Sequence, residues 1–455
     1  MRRRTILLYR CRIEGTDNTN QYEELIKVFL PKGEYELCDK DEDDIHVFSF
    51  SGDKDQLKRE IYRSLEEYTS KSPRWGILTG IRPVKLAGEL QDSHKSDQEI
   101  RRILSDKYLM HPDKTELVIE TLNYQRRIAG RPERDSLSMY IGIPFCPTRC
   151  LYCSFTSNQV EKPEIDRYLE ALYREISYCG TKVREKGYSL ESVYIGGGTP
   201  TTLDESQLAE LLERLSESFD MSNIREFTVE AGRPDTFTEG KLSVMKAAGV
   251  DRISINPQSM KERTLELIGR SHTVAETEKA FHMAENAGID CINTDLIAGL
   301  PEEDFEDFRN SVHRITELGA DNITLHTLAV KRASRLKDAD SIYNYRNEEL
   351  RDRMLSYALD YLKSRGYRPY YLYRQKHTSG NTENLGFCRD DKLSVYNIRI
   401  MEEAQSVLAL GAGGISKVYF PDENRLERVA NVSNYQIYID RIDEMIERKE
   451  KNFWR

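Results

Sequence analysis

The sequence predicts an α/β protein built on a partial (β/α)6 barrel, with a small N-terminal α+β domain and a C-terminal α/β domain. Three observations predict it. Between residues 133 and 345, short apolar strands alternate with amphipathic helices, the pattern of parallel βαβ units. The polar stretch Ala129-Gly-Arg-Pro-Glu-Arg-Asp135 reads as a linker from a differently patterned start. The run Cys146-Pro-Thr-Arg-Cys150-Leu-Tyr-Cys153 follows directly on the first apolar strand of the barrel region. The expected domains are residues 1–132, 133–345 and 346–455.

The N-terminal domain is expected to open with a strand over 5–13 and a helix near 20–29. A second strand over 45–50 leads into a helix near 54–69. The loop Trp75-Gly-Ile-Leu-Thr-Gly-Ile-Arg-Pro83 is distinctive in composition, but its spacing points to no chemistry. Barrel strands are expected at 138–143, 192–196, 226–231, 251–256, 290–298 and 321–328. Helices fall between them near 163–179, 204–218, 238–248, 260–286 and 302–318. Asp204 with Gln207 forms a capping-box signature. Leu208, Leu211, Leu212 and Leu215 then make a core-facing stripe. Six such units imply an incomplete barrel rather than a closed eightfold one. Beyond residue 345 come a long helix, the run Arg368–Gln375, a Gly/Asn loop, a helix near 399–409 and Leu410-Gly-Ala-Gly-Gly-Ile-Ser-Lys417.

Composition narrows the function. The chain has 455 residues, 38% hydrophobic and 32% charged, with a net charge of −10. That charge argues against non-specific nucleic-acid binding. No apolar run approaches the ~18 residues of a membrane span, and the start carries too short an apolar core for a secretory signal. Of the eight cysteines, Cys11, Cys38, Cys179, Cys291 and Cys388 follow no pairing logic and are expected as free buried thiols. Together these features point to a reducing cytoplasm.

The CxxxCxxC run carries the chemistry. Three thiolates on a short loop suit three irons of a [4Fe–4S] cluster, which usually takes four cysteines. The fourth iron is then open to a small molecule. Zinc is the competing reading, but zinc spacings come as CxxC pairs in two sets, and the sequence has no second set. Catalytic residues of such barrels lie in the βα loops at the C-terminal strand ends. Here those loops hold Gly196-Gly-Gly-Thr-Pro200, Val229-Glu-Ala-Gly-Arg-Pro234, Ile253-Ser-Ile-Asn-Pro-Gln-Ser259 and Ile292-Asn-Thr-Asp-Leu-Ile-Ala-Gly-Leu-Pro301. The glycines let backbone N–H groups approach a ligand. Glu230 suits a cationic amine. Asp295 lies inside an apolar strand, where an unpaired charge is costly. A structural ion pair is the alternative for both carboxylates.

In this order the motifs resemble the oxygen-independent coproporphyrinogen III oxidase (coproporphyrinogen dehydrogenase) family of radical S-adenosylmethionine (SAM) proteins. The N-terminal extension and Gly380-Asn-Thr-Glu-Asn-Leu-Gly-Phe-Cys388 resemble a divergent branch of it. The resemblance implies that Cys146, Cys150 and Cys153 bind the cluster. It implies that Tyr140 and Gly197 contact the SAM on the cluster, with Glu230 on its amino-acid part. For family members holding a second SAM, Tyr152, Gly198, Thr199, Gln258, Arg270, Asp295 and Ala329 match the remaining positions. Two positions depart from the family pattern. Phe155 stands where the oxidases carry a fourth cysteine, and Gly142 replaces a histidine.

The activity so implied is conversion of two coproporphyrinogen III propionates to vinyl groups by a 5′-deoxyadenosyl radical, in haem biosynthesis. A reduced flavodoxin or ferredoxin-type protein is the implied electron donor. Lys331, Arg332, Arg335, Arg374 and Lys376 are candidate cations for the tetracarboxylate substrate. One alternative is a haem-binding chaperone of the same superfamily. It is disfavoured because no histidine here is followed by asparagine, as that branch's C-terminal motif requires. Another radical SAM reaction on a tetrapyrrole is the other alternative. Spacing alone assigns no catalytic acid or base.

Overall fold

The structure is a computed structural model that describes residues 8–30, 33–38, 45–79, 82–153, 157–328, 348–374 and 382–454. These fall into two compact units. One holds residues 8–123, 348–349, 372–374 and 382–384, and the other holds 124–328, 350–371 and 385–454.

In the first unit, β1 (Tyr9–Glu14), α1 (Asn20–Phe29), β2 (Tyr35–Leu37), β3 (His46–Ser49) and α2 (Lys54–Thr69) come in that order. The strands form a wholly parallel sheet, β2-β1-β3. Its core includes Tyr9, Cys11, Leu25, Phe29, Ile61 and Leu65. Helices α3 (Pro83–Asp92), α4 (Asp97–Arg102) and α5 (Pro112–Ile128) follow. The distinctive loop at 75–83 has a structural role here. Trp75 is fully buried, and its indole N–H donates to Glu383 Oε2 at 2.9 Å. Lys114 pairs with the same carboxylate, and the Arg374 guanidinium lies 5.2 Å from the Trp75 ring centroid. Arg374 also donates to the Leu78 carbonyl. Arg374 is thus buried and committed inside this unit, which corrects its reading as a substrate cation.

The second unit contains β4 (Ser136–Ile143), α6 (Lys162–Lys186), β5 (Ser189–Gly197), α7 (Glu205–Ser218), β6 (Glu226–Val229) and α8 (Glu239–Ala247). It continues with β7 (Arg252–Ser254), α9 (Glu262–Leu267), α10 (Val274–Asn286), β8 (Cys291–Ala298), α11 (Phe305–Glu317) and β9 (Asn322–Thr327). Strands β4 to β9 are parallel and lie side by side in chain order. This is the expected partial barrel. The Asp204 capping box and the leucine stripe of α7 are both present.

Two expectations are corrected. The helix expected over 260–286 is two helices. Gly269, at φ +75°, ends α9, and a Thr273–Glu276 capping box starts α10. The helix expected near 399–409 is α13 (Val395–Glu402), which ends before β12 (Ser406–Leu410). Ser394 caps α13, and Glu403 in the left-handed region closes it.

The tail elements are α12 (Glu348–Ser364), β10 (Arg368–Arg374), β11 (Glu383–Cys388), α13, β12, β13 (Ile415–Phe420), β14 (Arg425–Ala430), α14 (Tyr435–Asp440) and α15 (Ile442–Asn452). Their strands extend the barrel sheet rather than forming a separate one. β11 pairs antiparallel with β9, and β12 pairs parallel with β4. Exposed strand edges invite wrong pairing, and the tail covers both barrel edges. Cys11, Cys38, Cys179, Cys291 and Cys388 are free and buried, as expected. Among the described residues, no helix is long and apolar enough to cross a membrane.

A buried ion pair fastens the tail. Lys449 of α15 and Glu175 of α6 are both fully buried and meet at 2.6 Å. Asn431, Tyr438 and the Gly411 amide complete their hydrogen bonds. Breaking a satisfied buried pair leaves a bare charge, costing roughly 3–5 kcal/mol. Lys449→Met is therefore expected to lower stability by about that amount, read as an earlier midpoint in urea denaturation of the second unit.

Candidate active site

The site grows from the way β4 and β5 end. Their parallel register runs to Ile143↔Gly197. Backbone bonds continue it: Gly198 N–H donates to Ile143 O at 2.8 Å and Thr199 N–H to Phe145 O at 2.7 Å. Such an approach leaves no room for side chains at the glycines. Gly197 has φ +118°, and a Cβ there would lie 2.8 Å from Ile143 O. A Cβ on Gly198 would lie 2.4 Å from Phe145 O and 2.9 Å from Cys146 Sγ. The glycine loop is therefore the floor beneath the first cysteine.

The cysteine loop is held on several sides. Cys146 N–H donates to Asn158 O at 3.0 Å, and its Sγ lies 3.4 Å from Thr199 Oγ1. Leu151 N–H donates to Ile268 O at 2.9 Å, and Cys153 N–H to Cys150 O at 3.2 Å. Thr148 Oγ1 donates to Gly269 O at 3.3 Å and accepts from Arg233 at 2.6 Å. Arg233 itself is clamped by Asp235 through two bonds of 3.1 Å. The break between α9 and α10 thus buttresses the cysteine loop. Burial pushes the Cys146 thiol up to about 11.

Partial exposure marks the lumen. On β4 to β9, mostly buried strands carry half-exposed Tyr140, Tyr194, Gly197, Asn293, Asp295 and His326. Glu230, one residue past β6, joins them. The Tyr194 hydroxyl donates to Glu230 Oε1. Asp295 Oδ2 lies 3.5 Å from His326 Nε2, and Asp295 Oδ1 accepts from Asn293 at 3.3 Å. Desolvation, and secondarily the Asp295 charge, raise the Glu230 carboxyl to about 7, against the lowering effect of Tyr194.

The expected second-SAM residues fall into two groups. Arg270, in the α9–α10 break, donates to the carbonyls of Gly232 and Asn256 at 3.1 and 2.9 Å and to Tyr152 Oη at 3.1 Å. Gln258, at φ +71°, bridges to β8: its N–H donates to Asp295 O at 3.1 Å. Gly198 and Thr199 lie with the cysteine loop. Ala329, Phe155, Lys331, Arg332, Arg335 and Lys376 lie outside the described residues.

Sequence reasoning missed Tyr194, Tyr396, Arg233 and His326. Tyr194 and His326 carried a signal, as polar-tipped residues on the inward phase of apolar strands. Tyr396 had none, because it arrives from a helix more than 200 residues away. Among the described residues, no three His, Cys, Asp or Glu side chains converge on one single-ion position.

The Radical SAM superfamily is matched over residues 140–315. The oxygen-independent coproporphyrinogen-III oxidase-like protein HemZ of Bacillus subtilis is 40% identical over 394 residues, covering 85% of this chain and 78% of that protein. The chain belongs to this oxidase-like family of radical SAM proteins. The heme chaperone HemW of Bacillus subtilis is 35% identical over 195 residues, 43% of this chain and 51% of that protein. The solved structure of Escherichia coli coproporphyrinogen III oxidase (HemN), a radical SAM enzyme, superposes with a TM-score of 0.54. That match has 24% identity and covers 72% of this chain and 73% of that one, which shows a shared fold.

The cofactors of the family are a [4Fe–4S] cluster and SAM. The residues present fit them. Three cysteines share one loop, Gly198 leaves the space beside Cys146 Sγ clear, and a carboxylate faces the lumen from the next strand end. Gly198→Ala is expected to displace the cysteine loop. Anaerobic reconstitution should then give iron content per chain well below that of the wild type, with the fold intact by circular dichroism.

Proposed function

We propose that this protein is a radical SAM oxidoreductase that decarboxylates coproporphyrinogen propionates to vinyl groups without oxygen. The observation that carries the proposal is the convergence of the cysteine loop, the glycine floor and Glu230 at the C-terminal ends of β4, β5 and β6. The 40% identity to the oxidase-like HemZ supports the substrate class. Cys146, Cys150 and Cys153 hold the cluster in this reading, and Tyr140, Gly197 and Glu230 hold SAM. When bound, the reduced cluster would supply one electron that cleaves SAM to methionine and a 5′-deoxyadenosyl radical able to take a hydrogen atom from a propionate; release of carbon dioxide to leave the vinyl group would then pass one electron to a separate one-electron acceptor.

The chain's own part is placement and exclusion of water. Gly197 and Gly198 bring backbone to the cofactor. Glu230 accepts from the SAM amino group and is half-neutral near pH 7, so its charge is available from neutral pH upward. Tyr152 and Arg270, joined by a hydrogen bond, together with Gln258 and Asp295, form the further polar wall assigned to a second SAM. Electrons come from a reduced flavodoxin or ferredoxin-type donor, in a reducing cytoplasm that keeps the buried thiols free.

Anaerobic turnover tests this reading. The reconstituted protein with reductant, SAM and coproporphyrinogen III is expected to give 5′-deoxyadenosine and protoporphyrinogen IX by mass spectrometry. Cys150→Ala is expected to abolish both. Deoxyadenosine without a decarboxylated porphyrin would move the substrate elsewhere. Stable haem binding with no turnover would favour the chaperone activity of the HemW relatives.

A further inference from the structure

Tyr194 has no role in the function proposed above, yet three sets of contacts fix it. Its ring is one corner of a triangle of near-parallel tyrosines, in which Tyr140 and Tyr396 themselves lie 6.4 Å apart. Tyr140, its register partner across β4 and β5, lies at 6.3 Å between centroids, and Tyr396 of α13 lies at 4.4 Å. The ring planes agree within 18° and 19° respectively. Close packing against the Tyr396 ring restricts the Tyr194 side chain. Its hydroxyl donates to Glu230 Oε1. Gly196 makes that reach feasible: a Cβ there would lie 2.9 Å from Tyr194 Cε1 and 3.3 Å from Glu230 Oε2.

Glu230 is held at its other end as well. Its N–H donates to Ile195 O at 2.9 Å, so backbone and carboxylate are both referred to β5. The groups facing the carboxylate are Tyr194 and the Gly197 amide from β5, Asp295 from β8 and His326 from β9. Tyr140 of β4 and Tyr396 of α13 lie close enough to feel its charge. Tyr194 gives it a side-chain hydrogen bond, and a donor to a carboxylate favours the charged form.

We propose that Tyr194, packed with Tyr140 and Tyr396 and hydrogen-bonded to Glu230, is the positioning residue that aims the Glu230 carboxylate at the amino group of SAM. The inference rests on the function proposed above, because it takes Glu230 as the partner of SAM.

SAM binding to the full-length, cluster-loaded protein tests it, titrated anaerobically by calorimetry from about pH 6 to about pH 8.5. Below its own titration Glu230 carries a proton and cannot accept from an amine. Wild-type affinity is therefore expected to fall as pH drops through about 7. Tyr194→Phe keeps the ring and its stack and removes only the hydroxyl. It is expected to weaken SAM about tenfold at neutral pH and to move the midpoint of the fall to higher pH. Glu230→Gln is expected to bind weakly and without that fall. SAM titrates identically in every profile, so differences between profiles belong to the protein. Weaker binding by Tyr194→Phe with an unmoved midpoint, or unchanged affinity, would overturn the inference. A wild-type holoprotein that binds no SAM would instead remove the proposed function, and this inference with it.

Discussion

The site depends on one constraint: the backbones of β4 and β5 stay hydrogen-bonded beyond the point where both strands have become loops. Ile143 O and Phe145 O each receive an N–H from the glycine loop. Leaving one such buried group unpaired costs roughly 1–3 kcal/mol, so the two loops move as one piece. A one-residue slip of β4 against β5 would put Tyr140 and Tyr194 on opposite faces of the sheet. Because Glu230 N–H is bonded to Ile195 O, the third strand end is tied to the same backbone. Cysteines, glycines and carboxylate are thereby indexed to a single strand, β5.

Electrostatics follow from that indexing. The lumen holds two carboxylates, Glu230 and Asp295, within reach of each other's charge. Burying two like charges raises the pKa of at least one of them, and Glu230 rises to about 7. Hydrogen bonds from Tyr194 and Asn293, and the nearby His326, limit that penalty. What remains is an arrangement tuned to a cation or an amine. The same polar band would be a liability in a barrel filled with aliphatic side chains. Here the half-exposed residues of β4, β5, β8 and β9 mark an accessible interior.

Much of this was legible in the sequence because the signals were local. Six barrel strands followed from apolar runs, and the α7 start followed from Asp204 and Gln207, three residues apart. The cysteine spacing and the GGGTP loop pointed to the candidate site because their geometry is set within a few residues. The failures were of the opposite kind. Apolar periodicity continues across Gly269, so the α9–α10 break was hidden, although that break places Arg270 against Tyr152. Arg374 reads as a free surface cation until Trp75, 299 residues earlier, is seen beneath it. Tyr396 joins the tyrosine stack through tertiary packing alone.

Gly142 shows how the tail reaches the site. At this position the family resemblance expects a histidine, and β12 lies in register beside it, with Leu410 opposite Ile141. The turn after β12 then passes directly over Gly142. A Cβ on Gly411 would lie 2.5 Å from Gly142 O, and a Cβ on Gly142 would lie 3.3 Å from Ala412 O. Tyr168 of α6 donates to Gly142 O at 2.6 Å and accepts from Ala412 N–H at 3.0 Å, locking the two backbones together. Gly411 N–H in turn caps Glu175, the buried partner of Lys449. A side chain at position 142 would press on this turn, with its Cβ already 3.3 Å from Ala412 O. The glycine thus suits the close passage of this turn, by which the chain closes the β4 edge of its barrel.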